Sequence, residues 1–422
     1  MPRVAFITLG CRVNQAETAR LIAQFSAAGF SIARPEDPCD AVVVHGCAVT
    51  REAERQSRQA ARAALRRTPP PRAVVLVGCV AEAIRRFGNP QMLPSPILLA
   101  SQAEKESLPS LVASALGLFT LSLPPNPAGV TPCFNSVRAW LKIQDGCDFH
   151  CAYCLVPHLR GAARSHPFAE IQQEARRLID AGVRELVVTG INIGCWHDGP
   201  RRLPDLLDAL SETPGLLRLR LGSLELSTVE EGVITLMAER PRLAPYLHIP
   251  LQSGDDGILR AMGRRYSVEH FRRTLETAFA RIPHLGVGTD VIAGFPGETE
   301  ASFQRTLDLL ASFPIHNIHA FPFSERPGTP ARTFSDPVPP AERRARVRRL
   351  QELACWKRQA AIERRIGQIV EVLIEERRSD DTGHGWSGDY LEATVRHSPP
   401  PGSLARVVVL APWNQGFLGE TQ

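Results

Sequence analysis

Cys147, Cys151 and Cys154 stand as C-x3-C-x2-C within "KIQDGCDFHCAYCLVPHLRG". Three thiolates this closely spaced can be presented from one loop to an iron–sulfur cluster. A four-iron cubane ordinarily takes four cysteines, so three leave one iron open to a further ligand. Zinc is the competing reading. A closed zinc site takes four ligands, and His150 or His158 could supply the fourth.

A second set is scattered along the chain. Cys11, Cys47 and Cys79 each follow a predicted strand directly after a glycine, in "LGC", "HGC" and "VGC". In an open parallel sheet, ligands gather outside the carboxyl ends of the strands. Three such junctions should converge on one rim and form a second three-cysteine site. The alternative is three buried free thiols, common in protein cores. Cys39 precedes its strand and belongs at the opposite end of the sheet from Cys47. Cys133 falls in a linker, Cys355 on a long helix, and Cys195 after a strand without an evident partner. These four read as structural.

The elements that must position these residues follow from pattern. "VAFITL" (4–9), "AVVVH" (41–45) and "AVVLV" (73–77) are short apolar runs separated by helical stretches, which predicts a parallel sheet covered by helices over 1–118. The segment 121–136 breaks every period and reads as a linker. Six further strand candidates occupy 137–340: "RAWLKIQ" (138–144), "ELVVTG" (185–190), "LRLRLGS" (217–223), "YLHIPLQ" (246–252), "GVGTDVIAG" (286–294) and "IHNIHAFPF" (315–323). Helical segments alternate with them, as in a partial (βα)6 barrel. A basic helix over 341–365 connects to 366–422, where "QIVEVLIEE", "YLEATV" and "ARVVVLA" suit a small β-barrel. The fold class expected is therefore α/β, with a small β-barrel at the C-terminus.

Bulk numbers agree with a globular chain of several domains. It has 422 residues, 44% hydrophobic and 22% charged, with a net charge of +5. That charge permits a polyanionic partner without demanding one. No apolar run is long enough to span a bilayer. The N-terminus enters a strand at once and lacks the layout of a signal peptide, so the cytoplasm is the expected compartment. Ten cysteines in that setting point to metal or redox chemistry rather than a disulfide framework.

The motifs "TLGCRVNQAET", "CAVTREAERQSRQA", "GCDFHCAYCLVPHLRG", "VVTGINIG", "HIPLQSGDDGILRAMGRRY", "TDVIAGFPGETE" and "FPFSERPGTPA" together resemble the methylthiotransferases of the radical S-adenosylmethionine (SAM) class. The likeness covers nearly the whole chain. It implies a cluster-binding N-terminal domain, a radical SAM barrel and a C-terminal TRAM domain that binds RNA. "LGCRVNQAET" and "HAFPFSERPGTPA" look most like the MtaB type, which adds a methylthio group to C2 of N6-threonylcarbamoyladenosine at position 37 of tRNA. The branches acting on isopentenyladenosine tRNA or a ribosomal protein usually carry Asp-Ser where Glu17-Thr18 stand here. One departure is His45-Gly46, where the family usually has Asn-Thr before the second cysteine.

The resemblance implies two [4Fe-4S] clusters and S-adenosyl-L-methionine as cofactors. The cluster on Cys147, Cys151 and Cys154 would deliver an electron to SAM. The cluster on Cys11, Cys47 and Cys79 would hold the sulfur that is transferred. Tyr153, beside the third cysteine, is a candidate for the adenine. Thr189 and Gly190 are candidates for the methionine end, and Ser223, Glu225 and Gln252 for ribose and amino-acid contacts. Gly294, Pro296 and Gly297 read as a tight turn after the fifth barrel strand. Arg160 reads either as a partner for cofactor or substrate anions or as a plain surface residue. The implied partners are tRNA, a low-potential electron donor and a source of sulfur or cluster repair.

Arg51, Arg55, Arg58, Arg62 and Arg66 fall within an arc of roughly 80° on one helix face. With few acids along it, this stripe could track phosphates, or be merely a solvated face. The basic helix 341–365 carries Glu352 and Glu363 as well, and packing between domains is its other reading. Trp386, Tyr390 and Trp413 are candidates for the C-terminal core. A reading from another class is a non-catalytic zinc or iron–sulfur protein that binds RNA.

Overall fold

A computed structural model describes residues 1–88, 93–118 and 137–422. The linker 121–136 and Cys133 lie outside the described residues. The chain divides into two compact units: Met1–Phe134 with Asp145–Arg164 and Ser324–Arg332, and Asn135–Gln144 with Ser165–Phe323 and Thr333–Gln422.

The first unit is built on five parallel strands, β1 (Arg3–Thr8), β2 (Ser31–Ala33), β3 (Ala41–Gly46), β4 (Ala73–Gly78) and β5 (Ile97–Ala100), in the order β2-β1-β3-β4-β5. β3 and β4 are buried along their whole length. That fits their near-continuous Val content, because a parallel sheet carries helices on both faces. Phe6, Val43 and Val75 enter one core with helices α1 (Arg12–Ala27) and α4 (Leu108–Ala115). Val42, Val44, Val74 and Leu76 enter the other with α2 (Arg51–Leu65) and α3 (Cys79–Phe87). Leu155 and Leu159, from the C-x3-C-x2-C loop and its short helix α5 (Val156–Arg160), join this second core. Full burial of a leucine is worth about 2 kcal/mol, so these two anchor the loop to the sheet's unit. β2 and β5 escaped the sequence reading because they are short and half exposed.

The second unit holds the six strands expected, β6 (Arg138–Lys142), β7 (Glu185–Thr189), β8 (Arg218–Leu221), β9 (Tyr246–His248), β10 (Gly286–Ala293) and β11 (Asn317–Pro322). They form two parallel sheets, β8-β7-β6 and β9-β10-β11, joined by the parallel bridge Ser223–His248. Helices separate consecutive strands.

The long helix Pro340–Glu363 leads to a closed five-stranded barrel: β12 (Ile369–Arg377), β13 (Thr382–Ser387), β14 (Glu392–Arg396), β15 (Leu404–Trp413) and β16 (Gly416–Thr421). β13 and β16 were not read from sequence. Gly383, Gly385, Gly416 and Gly419 weaken their strand pattern, yet a Cβ at Gly385 would meet Leu373 O at 2.2 Å. Close backbone approach at a barrel corner is a usual role for strand glycine.

Buried charge docks this barrel against β6–β8. Glu185 is fully buried and pairs with Arg138 (2.8 Å), Arg220 (3.1 Å) and Arg218 (3.4 Å). Arg218 also donates to Trp386 O at 2.7 Å, and Arg220 to Ser387 O and Gly388 O at 3.0 and 2.9 Å. The Arg220 guanidinium lies 4.3 Å over the Tyr390 ring, which stacks on Trp386.

Candidate metal and cofactor sites

Cys47 and Cys79 stand directly after β3 and β4, and Cys11 three residues past the end of β1; the three strands are neighbours in the sheet. The three thiols are close enough to act on one another electrostatically. Gly10 shows how tightly the turns meet: at φ +100°, an added Cβ would lie 2.5 Å from Cys47 Cβ and 3.2 Å from its Sγ. The Cys47 turn is fastened by Ser57 of α2, whose hydroxyl accepts from Cys47 N at 3.0 Å and donates to Cys47 O. Asn14 Nδ2 donates to Leu9 O at 2.9 Å and Gly46 O at 3.2 Å, tying the first two turns together. Burial pushes the Cys47 thiol up to about 11, and burial also raises Cys79. Thiolates in such a place require compensating positive charge, which a metal cluster supplies. The donor set therefore fits a cluster.

The C-x3-C-x2-C loop is closed at its base by Cys147 N donating to Gly161 O at 3.1 Å. Gly146 has φ +69°, and a Cβ there would meet Ala162 O at 2.0 Å. Phe149 N donates to Cys147 Sγ and Val156 N to Cys154 Sγ, both at 3.4 Å. Backbone N–H groups aimed at sulfur favour thiolate, so this donor set also fits a cluster. His158 stands edge-on to Phe87, and both His158 and His150 are exposed. Tyr153 is half-buried within the loop.

Arg160 is no surface residue. Its side chain is 1% exposed and donates to Glu17 (2.9 Å), Asp145 (3.0 Å) and Asn14 Oδ1 (2.8 Å). The Arg160 charge also acts on the nearby Cys79 thiol, against the rise that burial imposes. Glu17 further accepts from Lys105 at 2.6 Å and faces His45 Nε2 at 3.3 Å. His45 is fully buried and bonded to the Thr18 hydroxyl, and desolvation pushes its pKa down to about 4.

In the second unit, Thr189 ends β7 and is buried. Gly190 opens the following turn, which is held by Gln144 Oε1 accepting from Ile191 N and Asn192 N at 3.0 and 2.9 Å. Ser223 follows β8. The Glu225 carboxylate accepts from Ser227 N (2.8 Å) and Arg264 (2.9 Å). Gln252 has φ 64° and exchanges backbone bonds with Asp290 and Ile292. Gly294 and Gly297 both have positive φ, as a tight turn requires, and the group against Gly294 is the Arg343 side chain.

One cluster escaped the sequence reading. His248 Nε2 and His319 Nδ1 both contact Asp290 Oδ1, at 3.1 and 3.2 Å. Burial pushes this carboxyl up, and the two imidazoles outweigh it and hold it well below its usual range. His248, Asp290 and His319 all lay inside quoted motifs, but only strand register brings His319 opposite Asp290.

On α2, Arg51 pairs with Glu325, Arg55 with Glu52, and Arg58 with Glu54, which also holds Arg326. The acids are more prominent than the stripe alone predicts. Arg62 closes the helix and Arg66 lies just past its end. On the long helix, Arg343, Arg346 and Lys357 are buried, with Arg346 on Glu298 at 2.7 Å and Lys357 on Ala311 O. Packing is what these three do. Trp413 is half exposed rather than core. Cys39 lies at the start of β3 near Arg67, and Cys355 is exposed on the long helix.

Residues 141–310 match the radical SAM superfamily model, and 3–87 match the model called uncharacterized protein family UPF0004. The chain is 34% identical over 417 residues to the threonylcarbamoyladenosine tRNA methylthiotransferase MtaB of Chlamydia pneumoniae, covering 98% of this chain and 97% of that one. This chain belongs to the methylthiotransferase family of radical SAM enzymes. Another relative, the tRNA-2-methylthio-N(6)-dimethylallyladenosine synthase of Chloroflexus aurantiacus, is 34% identical over 96% of this chain and 89% of its own. Among solved structures, the radical SAM methyltransferase TsrM of Kitasatospora setae matches with TM-score 0.55 at 14% identity, covering 79% of this chain and 75% of that one. That is a likeness of fold. Among the described residues, no helix of this methylthiotransferase is long and apolar enough to cross a membrane.

Proposed function

We propose that this methylthiotransferase adds a methylthio group to C2 of N6-threonylcarbamoyladenosine at position 37 of tRNA. The observation that carries the reading is the convergence of Cys11, Cys47 and Cys79 in the same compact unit as the C-x3-C-x2-C loop. Two three-thiol sites give the enzyme one cluster for radical generation and a second for sulfur. When bound, a low-potential [4Fe-4S] cluster and S-adenosylmethionine supply the radical chemistry of the superfamily.

The chain's own residues place and hold these groups. Cys147, Cys151 and Cys154 ligate the first cluster, with the amides of Phe149 and Val156 supporting two of the sulfurs. Cys11, Cys47 and Cys79 ligate the second. Tyr153, Thr189, Gly190, Ser223, Glu225 and Gln252 contact S-adenosylmethionine. Arg62 and Arg66, with Arg51, Arg55 and Arg58 beside them, meet RNA phosphates. The reaction calls for a low-potential electron donor and a source of replacement sulfur, and its setting is the cytoplasm.

Full-length relatives named for threonylcarbamoyladenosine support the substrate, while others of equal identity are named for dimethylallyladenosine. Mass spectrometry of tRNA nucleosides from a deletion strain separates the two. Loss of the methylthio form of threonylcarbamoyladenosine, restored by the gene, is the expected result. Loss of the dimethylallyl form instead assigns the other substrate.

A further inference from the structure

We infer that Arg160 and Glu17 are positioning residues that set the reduction potential of the cluster on Cys11, Cys47 and Cys79, with opposite signs. This rests on the reading that those three cysteines hold a cluster. Arg160 ends the helix that follows the other cysteine triad, yet its guanidinium reaches Asn14 and Glu17, near enough to the Cys79 thiol for its charge to act there. Asn14 is itself bound to the carbonyls of Leu9 and Gly46, within two residues of Cys11 and Cys47. One planar fork thus meets the turns of Cys11 and Cys47 through the Asn14 side chain. Asp145, two residues before Cys147, holds the same guanidinium from the other side.

Reducing a cluster adds negative charge to it. A buried cation beside a ligand sulfur stabilises the reduced state and raises the potential. A buried carboxylate opposes it. Arg160 and Glu17 are 1% and 10% exposed, so water and salt screen them weakly. Arg160 pairs with Glu17 and Asp145, and Glu17 also with Lys105. Neutralising Arg160 or Glu17 shifts the local charge by a full unit, with opposite signs. The fork geometry matters as well, because two nitrogens of one planar group serve Asn14, Glu17 and Asp145 together.

The test uses the full chain carrying Cys147→Ala, Cys151→Ala and Cys154→Ala, reconstituted with iron and sulfide without oxygen. Only the second cluster remains in it. Its midpoint is read by redox titration with electron paramagnetic resonance, in that background and with Arg160→Met or Glu17→Gln added. The expected result is about four irons per chain, a lower midpoint for Arg160→Met and a higher one for Glu17→Gln. Unchanged midpoints, or shifts of one sign in both, overturn the inference while leaving the cluster in place. If Arg160→Met loses its iron, Glu17→Gln decides alone, and an unchanged or lower midpoint overturns the inference. No iron in the background protein itself removes the second cluster, and the inference with it.

Discussion

At the scale of single residues, the six cysteines divide into two sets that can be removed separately. Replacing Cys147, Cys151 and Cys154 by alanine is expected to take anaerobically purified protein from about eight irons to about four, as two cubanes require. Iron analysis beside circular dichroism checks it, and zinc in either site argues for the RNA-binding alternative. Gly10 gives a sharper probe of the second site. Alanine at φ +100° costs about 1–2 kcal/mol of backbone strain, and forcing its Cβ against Cys47 adds about 1–3 kcal/mol. Gly10→Ala should therefore lose iron from the second site while the spectrum of the first persists. Both sets of cysteines were legible in sequence because each is announced locally, by spacing or by a strand-Gly-Cys junction. Arg160 was not, since Glu17 lies 143 positions away from it.

Among the elements, Glu185 on β7 is the point through which β6, β8 and the C-terminal barrel are held. Burial pushes its carboxyl up, but Arg220, Arg138 and Arg218 outweigh this and bring it down to about 2. Glu185→Gln removes the anion shared by three buried guanidiniums, of which Arg138 keeps Glu375, and should destabilise the protein by about 3–5 kcal/mol. The sign with pH follows from the depressed value. The carboxylate's contribution is complete above the unfolded glutamate range near about 4.3 and is lost as pH falls through about 2. The gap in stability between wild type and Glu185→Gln, from urea unfolding, should therefore narrow across that window. A gap that stays constant with pH would show that Glu185 is not ionised in the fold. On α2, the carboxylates of Glu52 and Glu54 occupy Arg55 and Arg58, which leaves Arg62 and Arg66 as the arginines without an ion-pair partner among the described residues. Alanine at both should weaken tRNA binding and lower the salt slope by about one per lost phosphate contact, with iron content unchanged. Filter binding over a salt series checks this.

For the whole molecule, the chain order interleaves the parts of the two compact units. The C-x3-C-x2-C loop follows β6 in sequence but packs Leu155 and Leu159 into the core of the N-terminal sheet. The two cysteine triads therefore share one compact unit, although 68 residues separate Cys79 from Cys147. The C-terminal barrel is bolted to β8 through backbone carbonyls of 386–388, so it should not move as an independent domain. Limited proteolysis should spare the connection around 364–368 in wild type and expose it in Glu185→Gln.

Sequence alone determined what is local. Apolar runs of period and length proper to buried strands located β1, β3, β4 and the six strands β6–β11, and glycine before cysteine marked the ends where ligands gather. It also carried the family motifs. The tertiary structure decided what depends on register and docking. Parallel pairing of β10 with β11 put His319 opposite Asp290, and closure of the C-terminal barrel drew the glycine-rich strands β13 and β16 into a sheet their composition does not announce. Folding also chose the partners of buried charge, Glu17 for Arg160 and Glu185 for three arginines. The physical reason is common to all of these. A charged residue in a linear pattern reads as surface, and only the long-range contact that offsets its desolvation permits it to be buried.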